Sequence, residues 1–569
     1  MPSDSASYLP HRAILFVLAA LVGALWFANV EHRVLQHPDE GRYAEIAREM
    51  AATGDWLTPR LNGLKYFEKP PLQYWLTAAT FDAFGVHAWS ARLWPVLAGL
   101  IAVGAIGVAG LLLGGAALGV TAALVLAGTL WQVALSQIIT LDALLSGLLA
   151  VGFAAFVIAQ RAEATPVARR HWMWLAWAAM AGASLTKGLI GVVIPAGALV
   201  LYSLAARDFG LWRRLSISSG MLVYLAVAAP WFVAVSLANP EFASFFFVHE
   251  HFQRFLTTEH RRTGSLWYFV PLFIAGVIPW IAVLLWSLPR AWREGTPNGL
   301  GFSWQRFALV WAGFVLVFFS VSGSKLPSYI LPMFPPLALV LGWVLLRLDA
   351  RTLARLTLPM AAAAIVLALA AWFAYPRLAA PFADDRQPVD ALLAFGTWVK
   401  LALTAAAVGG IIALAAFHRS SARARFTGIA ALAVATLATT QLVVGGLDSF
   451  RLTRSAYDIL QQAEARVTAG PALDSPAVPF FQVRMYDQTI PFYLRRTTTV
   501  VEFADELALG VKAEPDRAIA TVDNWITVWS ALADGYAVVP PADLAALAAR
   551  GVPMRVLAED TRRAIVSRR

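Results

Sequence analysis

The amino-acid sequence predicts a mainly α-helical, polytopic membrane bundle of about thirteen transmembrane helices followed by a C-terminal soluble α/β domain. Three observations carry that expectation. The chain of 569 residues is 59% hydrophobic and 14% charged, with a mean hydropathy of +0.63, far from an ordinary globular composition. Apolar runs of about 20 residues, the length that crosses a bilayer core as a helix, recur as far as residue 447. Beyond that point the composition turns soluble. The chain contains no cysteine, which removes disulfides and thiolate metal sites. Its net charge of +10 is spread over short loops, so the partners it suggests are anionic membrane lipids and not nucleic acid.

The runs begin near Ala13, Leu93, Ala116, Leu141, Trp172, Gly188, Leu215, Trp267, Phe307, Leu326, Leu353, Ala394 and Phe426. The first follows Arg12, lacks a small-residue cleavage site and leads into further spans, so it is read as retained and not as a signal peptide. Orientation follows from the short loops. One set of connections carries Arg12, Arg161, Arg169, Arg170, Arg207, Arg213, Arg214, Arg290, Arg293, Arg347, Arg351, Arg355, Arg419, Arg423 and Arg425, whereas the short connections of the other set hold only Lys187, Lys325, Arg377 and Arg386. The arginine-rich side is the cytoplasmic one, which puts the N-terminus inside and the chain after about residue 447 outside.

Three exterior segments are longer than turns: 31–88, 237–265 and the tail 448–569. The expected organisation is therefore a membrane domain over 1–447, carrying the first two as loops, and an exterior α/β domain over 448–569. In the first loop Tyr43, Ile46, Ala47 and Met50 follow helical spacing, Arg42, Glu45, Arg48 and Glu49 lie opposite, and Gly54 suits a C-cap. That pattern predicts a helix lying on the membrane surface. In the tail, 477–483, 497–503 and 518–523 read as strands and 543–550 as a helix. No internal repeat is present.

Ionisable residues near spans are costly and point to function. Asp39, Glu40, Glu68, Lys69, Asp142, Lys187, Arg254 and Lys325 all fall in exterior loops or at exterior span ends, and are expected to converge on one site. A transporter is expected to place charges near the midplane in two matching halves, and the sequence shows neither. It also has no G-x-x-x-x-G-K-[ST] loop. Group transfer on the outside then needs a donor that arrives already activated, such as a lipid-linked phosphate sugar.

The segment HPDEGRYAEIAREMAATGDWLTPRLNGLKYFEKPPLQYW (37–75), then TKG (186–188), VHEHFQRF (248–255) and SGSKLPSYILPMFPPLAL (322–339), resemble in order the motifs of the bacterial lipid A aminoarabinose transferases, which share the membrane-embedded GT-C class with the protein O-mannosyltransferases. The resemblance covers most of the membrane domain and leaves the tail unmatched. It implies an undecaprenyl phosphate-linked aminoarabinose donor, a lipid A phosphate acceptor, and a single inverting displacement at the periplasmic face of the bacterial inner membrane. It also implies resistance to cationic peptides such as polymyxin. Two rival readings are a GT-C enzyme that glycosylates a protein or another envelope glycan, and a lipid or sugar transporter.

Each candidate residue has a bland reading beside the functional one. Asp39 follows Pro38 at a helix start, where aspartate serves as an N-cap; the resemblance makes it the essential acidic residue. Because a lipid A phosphate is already ionised, Asp39 is expected to orient the acceptor or stabilise positive charge on the sugar. Glu40, facing another way on the helix, reads as structural. Lys69 reads either as an interfacial snorkelling lysine or, by its place in YFEKP, as a donor-phosphate contact, and Lys187, Arg254 and Lys325 are read in the same two ways. Tyr43 and Tyr329 are substrate contacts by motif and aromatic-belt residues by composition, and Tyr66, in YFEKP, is a substrate contact by motif. Asp142 is a helix cap or a second catalytic carboxylate suited to an amino sugar. No cofactor is required by the sequence. A divalent metal on Glu68 and His249 is a further candidate, although His249, Glu250 and His251 lack the H-E-x-x-H spacing of a helical zinc site.

Overall fold

The computed structural model describes residues 8–247, 264–419, 421–468 and 470–569. It divides into two compact units, one of residues 1–29, 94–373 and 398–444, the other of residues 30–93, 374–397 and 445–569.

The first unit is helical. All thirteen expected runs fall in helices, yet thirteen straight spans are not what the chain forms. Eight helices among the described residues are long and apolar enough to cross a bilayer, or up to ten if each of two bent pairs counts as one span. Arg12–Trp26 and Ile190–Ala206 are shorter apolar helices, and Pro166–Lys187, with Arg169, Arg170 and His171 near its start, is too polar to qualify. The bends have local causes. Ala116–Ala127 and Leu130–Ser136 meet at 63° around Gly128 and Thr129, and Phe269–Gly276 meets Ile281–Glu294 at 103° around Pro279, which has no N–H to continue a helix. The Leu130 N–H released at one break donates to the Ile278 carbonyl at the other, 3.1 Å away, so the backbone is satisfied where the ladder stops.

Packing order follows burial. The apolar window of Pro327–Leu345 is 94% buried and that of Leu141–Ala159 is 83%, whereas Ile217–Ala238 is only 17% buried, so the first two are central and the third peripheral. Small residues set the close approaches, since lipid gives helices little apolar reason to associate. A Cβ on Gly342 would lie 2.9 Å from the Ala122 backbone, a separation only glycine allows.

The second unit is α/β. Its helix Asp39–Thr53 ends at Gly54, whose φ of 71° is the left-handed cap expected there. Membrane-surface exposure of its polar face is not what the structure shows: Arg42, Glu45, Arg48 and Glu49 are as buried as Ile46 and Ala47. Burial is tolerated because Arg48 pairs with Glu45 through two 2.6 Å bonds, while one Glu49 oxygen accepts from the Gly63 N–H at 2.7 Å and burial beside Glu45 pushes the Glu49 carboxyl well up, toward its neutral form. A hairpin, β1 (Arg60–Leu61) and β2 (Leu64–Lys65), precedes helix Leu72–Phe84. The tail supplies β3 (Phe480–Val483), β4 (Thr499–Val501), β5 (Ala518–Ile519), β6 (Tyr536–Val539), β7 (Arg555–Glu559) and β8 (Ala564–Ser567) in the order β5-β4-β3-β6-β8-β7. The pairs β3–β4, β3–β6 and β4–β5 are parallel, and β8 is antiparallel to β6 and β7. All four residues of β3 are buried. Phe480 packs in a core with Ile459, Val538 and Ile565, and Phe481 in another with Trp525, Trp529 and Val566, as alternation in a strand covered on both faces requires. The tail and the first loop segment share this unit. Asn62 and Thr498 exchange two 2.7 Å bonds, and the Leu35 N–H donates to the Tyr493 hydroxyl at 2.7 Å.

Candidate active site

The expected residues fall into two sets, one in each unit. In the α/β unit, helix Asp39–Thr53 is anchored by Glu40. Its carboxylate takes paired bonds from Arg92 at 2.8 and 2.9 Å and one from the Gln36 N–H at 3.1 Å, with Arg33 at 3.9 Å. Burial disfavours the charge, but the two arginines and these bonds bring the Glu40 carboxyl down to about 2. The structural reading of Glu40 fits this. Gly41 is obligatory, because a Cβ there would sit 2.8 Å from the Gln488 backbone.

That anchoring fixes Asp39 in the first helical turn, where its charge complements the helix dipole. The N-cap reading fails: Pro38 holds that position and no side chain caps it. Asp39 Oδ1 instead accepts from Arg42 at 2.9 Å, and its side chain is 38% exposed. Arg42 also pairs with Glu506. Burial opposes the Arg42 charge, but Tyr66, Glu506, Tyr43 and Asp39 around it hold the guanidinium charged, while burial pushes the Glu506 carboxyl up against the pull of Arg42. Tyr43 stacks at a tilt on Tyr74, ring centres 6.1 Å apart. Tyr66 follows β2 and is buried, its neighbours including Glu68, Arg42, Tyr43 and Tyr74. Lys69 donates to the Glu68 carbonyl at 2.6 Å and lies 3.9 Å from the Glu68 carboxylate.

In the helical unit, Asp142 opens helix Leu141–Ala159 and Lys187 closes helix Pro166–Lys187. The two form an ion pair, and Ser328 donates to the other Asp142 oxygen at 2.8 Å. The cap reading of Asp142 fails too, because the N-cap is Thr140 and makes no side-chain cap bond. Lys187 Nζ lies 4.4 Å from the centre of the Tyr329 ring, a cation–π distance. Lys325 donates to the carbonyls of Phe319 and Ser320 at 3.0 and 2.5 Å. Those are the last-turn acceptors of helix Trp304–Val321, and this bonding accounts for the burial of Lys325. Arg254 and His249 lie outside the described residues, as do Glu250 and His251. Among the described residues no three His, Asp or Glu side chains are grouped to hold a metal.

Sequence reasoning missed Arg42 as a partner of Asp39, and it missed Glu506, Tyr74 and Ser328. Arg42 and Ser328 lie inside the quoted motifs; Glu506 lies in the tail, where no motif points to it.

A multi-pass helical bundle with charged clusters of this kind and a C-terminal α/β sheet has the GT-C membrane architecture. Residues 13–293 match the dolichyl-phosphate-mannose-protein mannosyltransferase family, and residues 469–568 match the aminoarabinose transferase C-terminal domain. The undecaprenyl phosphate-alpha-4-amino-4-deoxy-L-arabinose arabinosyl transferase of Erwinia tasmaniensis is 31% identical over 331 residues, 57% of this chain and 58% of that protein. The same-named protein of Edwardsiella ictaluri is 30% identical over 397 residues, 67% of this chain and 70% of that protein. The crystal structure of ArnT from Cupriavidus metallidurans bound to undecaprenyl phosphate superposes with a TM-score of 0.91 at 36% identity, covering 98% of this chain and 99% of that one. The chain belongs to the undecaprenyl phosphate-aminoarabinose arabinosyl transferase family.

Proposed function

We propose that this chain transfers 4-amino-4-deoxy-L-arabinose from undecaprenyl phosphate to a phosphate of lipid A at the periplasmic face of the bacterial inner membrane. The observation that carries the reading is the full-length likeness to ArnT, a protein solved with undecaprenyl phosphate bound. The arginine asymmetry of the short loops supports a cytoplasmic N-terminus, a membrane domain over 1–447 with periplasmic loops 31–88 and 237–265, and a periplasmic domain over 448–569.

In this reaction an acceptor phosphate oxygen attacks the anomeric carbon while the bond to the lipid phosphate breaks, and undecaprenyl phosphate leaves with the electron pair. The configuration inverts. The acceptor is ionised near neutral pH and yields no proton, so a general base is not required. Asp39, more than a third exposed beside Arg42, stabilises the positive charge that builds on the sugar, and Asp142 supplies a second carboxylate. Lys69, Lys187, Arg254 and Lys325, with Tyr43, Tyr66 and Tyr329, bind substrate, the cations neutralising the leaving phosphate. A metal on Glu68 and His249 would add to that neutralisation. The product masks a negative charge on lipid A, which weakens attraction of cationic peptides such as polymyxin.

Mass spectrometry of lipid A from cells with and without the chain tests this. One added aminopentose only in its presence is expected. Unchanged lipid A beside a newly glycosylated protein would replace lipid A as acceptor. Topology is read separately, by impermeant labelling of Pro166→Cys and Ser530→Cys in this cysteine-free chain, where only the second should react in intact spheroplasts.

A further inference from the structure

Two phenol hydroxyls near Asp39 are buried without a partner among the described residues. Tyr66 and Tyr74 are 2% and 0% exposed, and neither hydroxyl oxygen has a hydrogen-bond partner there. A hydroxyl removed from water and left unpaired is disfavoured, and native proteins leave few of them unless a ligand, ion or water meets them. Tyr66 was already a candidate by motif; Tyr74 was not. It sits in the first turn of helix Leu72–Phe84, its ring against Tyr43. Glu68, Arg42 and Tyr43 act electrostatically on both phenols, and Asp39 acts on Tyr74. Burial holds both phenols well above the usual tyrosine range, so each remains an O–H donor.

The charges around them indicate what such donors meet. Asp39 and Glu506 share the single guanidinium of Arg42, so among the described residues the carboxylates at Arg42 outnumber the cation they pair with. That balance around Arg42 suits a cationic amino sugar, whereas Lys69 is the cation proposed for the donor phosphate. Phenol faces can cover the apolar face of a sugar ring, hydroxyl donors can bond its oxygens, and a surplus carboxylate suits its ammonium group.

We propose that Tyr74 is a specificity-determining residue whose hydroxyl donates to an oxygen of the transferred amino sugar and not to the lipid phosphate, an inference that rests on the transfer reaction proposed above. The alternative, an idle hydroxyl in a packed core, makes opposite predictions. Tyr74→Phe keeps the ring and removes only the oxygen. Three quantities are measured on the purified full-length protein: melting temperature, affinity for undecaprenyl phosphate carrying no sugar, and kcat/KM with undecaprenyl phosphate-aminoarabinose. The expected result is kcat/KM lowered at least about tenfold, affinity for the bare lipid phosphate within about twofold of wild type, and an equal or higher melting temperature, since an unpaired polar group has gone. Unchanged kcat/KM would show the hydroxyl idle. An equal loss of affinity for the bare lipid phosphate would place the hydroxyl on the phosphate, and a lowered melting temperature would reveal a protein partner; either outcome defeats the proposal. Wild-type protein that neither binds undecaprenyl phosphate nor transfers the sugar would instead bring down the reaction itself.

Discussion

Asp142 and Asp39 each lie in the first turn of a helix, one in the helical unit and one in the α/β unit, and they differ in how completely they are satisfied. Asp142 is buried, with one oxygen on Lys187 and the other on Ser328. Asp39 takes one bond from Arg42 and keeps more than a third of its side chain accessible. A carboxylate that acts on a passing substrate needs access, whereas one with both oxygens occupied must break bonds before it can act. The comparison therefore favours Asp39 as the leading carboxylate of the proposed reaction, whereas Asp142 must release Lys187 or Ser328 before it can act as the second, with Lys187 held between it and the Tyr329 ring.

The largest expected effect tests the satisfied pair. Lys187→Ala leaves a buried carboxylate uncompensated, and losing one partner of a buried ion pair costs about 3–5 kcal/mol of stability. Melting in detergent should show that loss, and the double variant Lys187→Met with Asp142→Leu should recover much of it. A single variant as stable as wild type would erase the distinction drawn between the two carboxylates. Next comes Asp39→Asn, which keeps the size and the Arg42 contact but removes the charge. Turnover with the lipid-linked donor should fall about one hundredfold, roughly 2.7 kcal/mol, while melting stays within about 1 kcal/mol of wild type. Near wild-type turnover would transfer the leading role to Asp142.

Much of this was legible in the sequence because periodicity and motif order are local. The thirteen apolar runs, the helix ending at Gly54 and the first strands of the tail all lie where hydrophobic spacing puts them. The motifs bring Asp39, Tyr43, Tyr66 and Lys69 into one unit and Asp142, Lys187 and Tyr329 into the other. What spacing does not encode is the partner. The polar face of helix Asp39–Thr53 looked like a solvated one because Arg42 finds Glu506, and Glu49 finds the Gly63 N–H, only once the chain has folded. The strands β6 and β8 are four-residue apolar runs, too short to separate from helix by periodicity. The thirteen runs exceed the eight to ten spans because Arg12–Trp26 and Ile190–Ala206 are short and Pro166–Lys187 is polar, while the runs broken at Gly128 and Pro279 each become two short helices.

A smaller effect separates Lys69 from Lys187. Lys187 is tied to a carboxylate, while Lys69 donates to a backbone carbonyl and lies at the edge of hydrogen-bond range from Glu68. With Lys69 proposed as a contact of the donor phosphate, Lys69→Ala should lower kcat/KM for the donor about tenfold, roughly 1.4 kcal/mol, with little change in melting. Lys69→Arg should retain part of the activity, since a guanidinium replaces a point charge but not its geometry. An alanine variant equal to wild type at limiting donor would show that Lys69 only snorkels.

The smallest expected effect concerns pH and the α/β unit. Burial is the main force that lowers the His37 imidazole to about 4 from 6.5; Asp487 pulls it up, and Arg562, Arg563 and Arg454 push it down. Folding therefore keeps His37 neutral where the unfolded chain would protonate it. Stability falls as pH drops below about 6.5 and goes on falling until the folded imidazole itself titrates near 4, a loss of about 0.7 kcal/mol between pH 7 and 6 that steepens below. Glu40, lowered from 4.5 to about 2, loses its contribution only below about 4.5 and is silent in that window. Glu45, Glu49 and Glu506 are raised by burial and act in the opposite sense, gaining protons in the folded state first. The informative quantity is thus the difference between wild type and His37→Gln in melts at pH 7, 6 and 5. The wild type should lose more stability on acidification than the variant, and parallel curves would show that His37 takes no part in the acid response of the unit that carries Asp39.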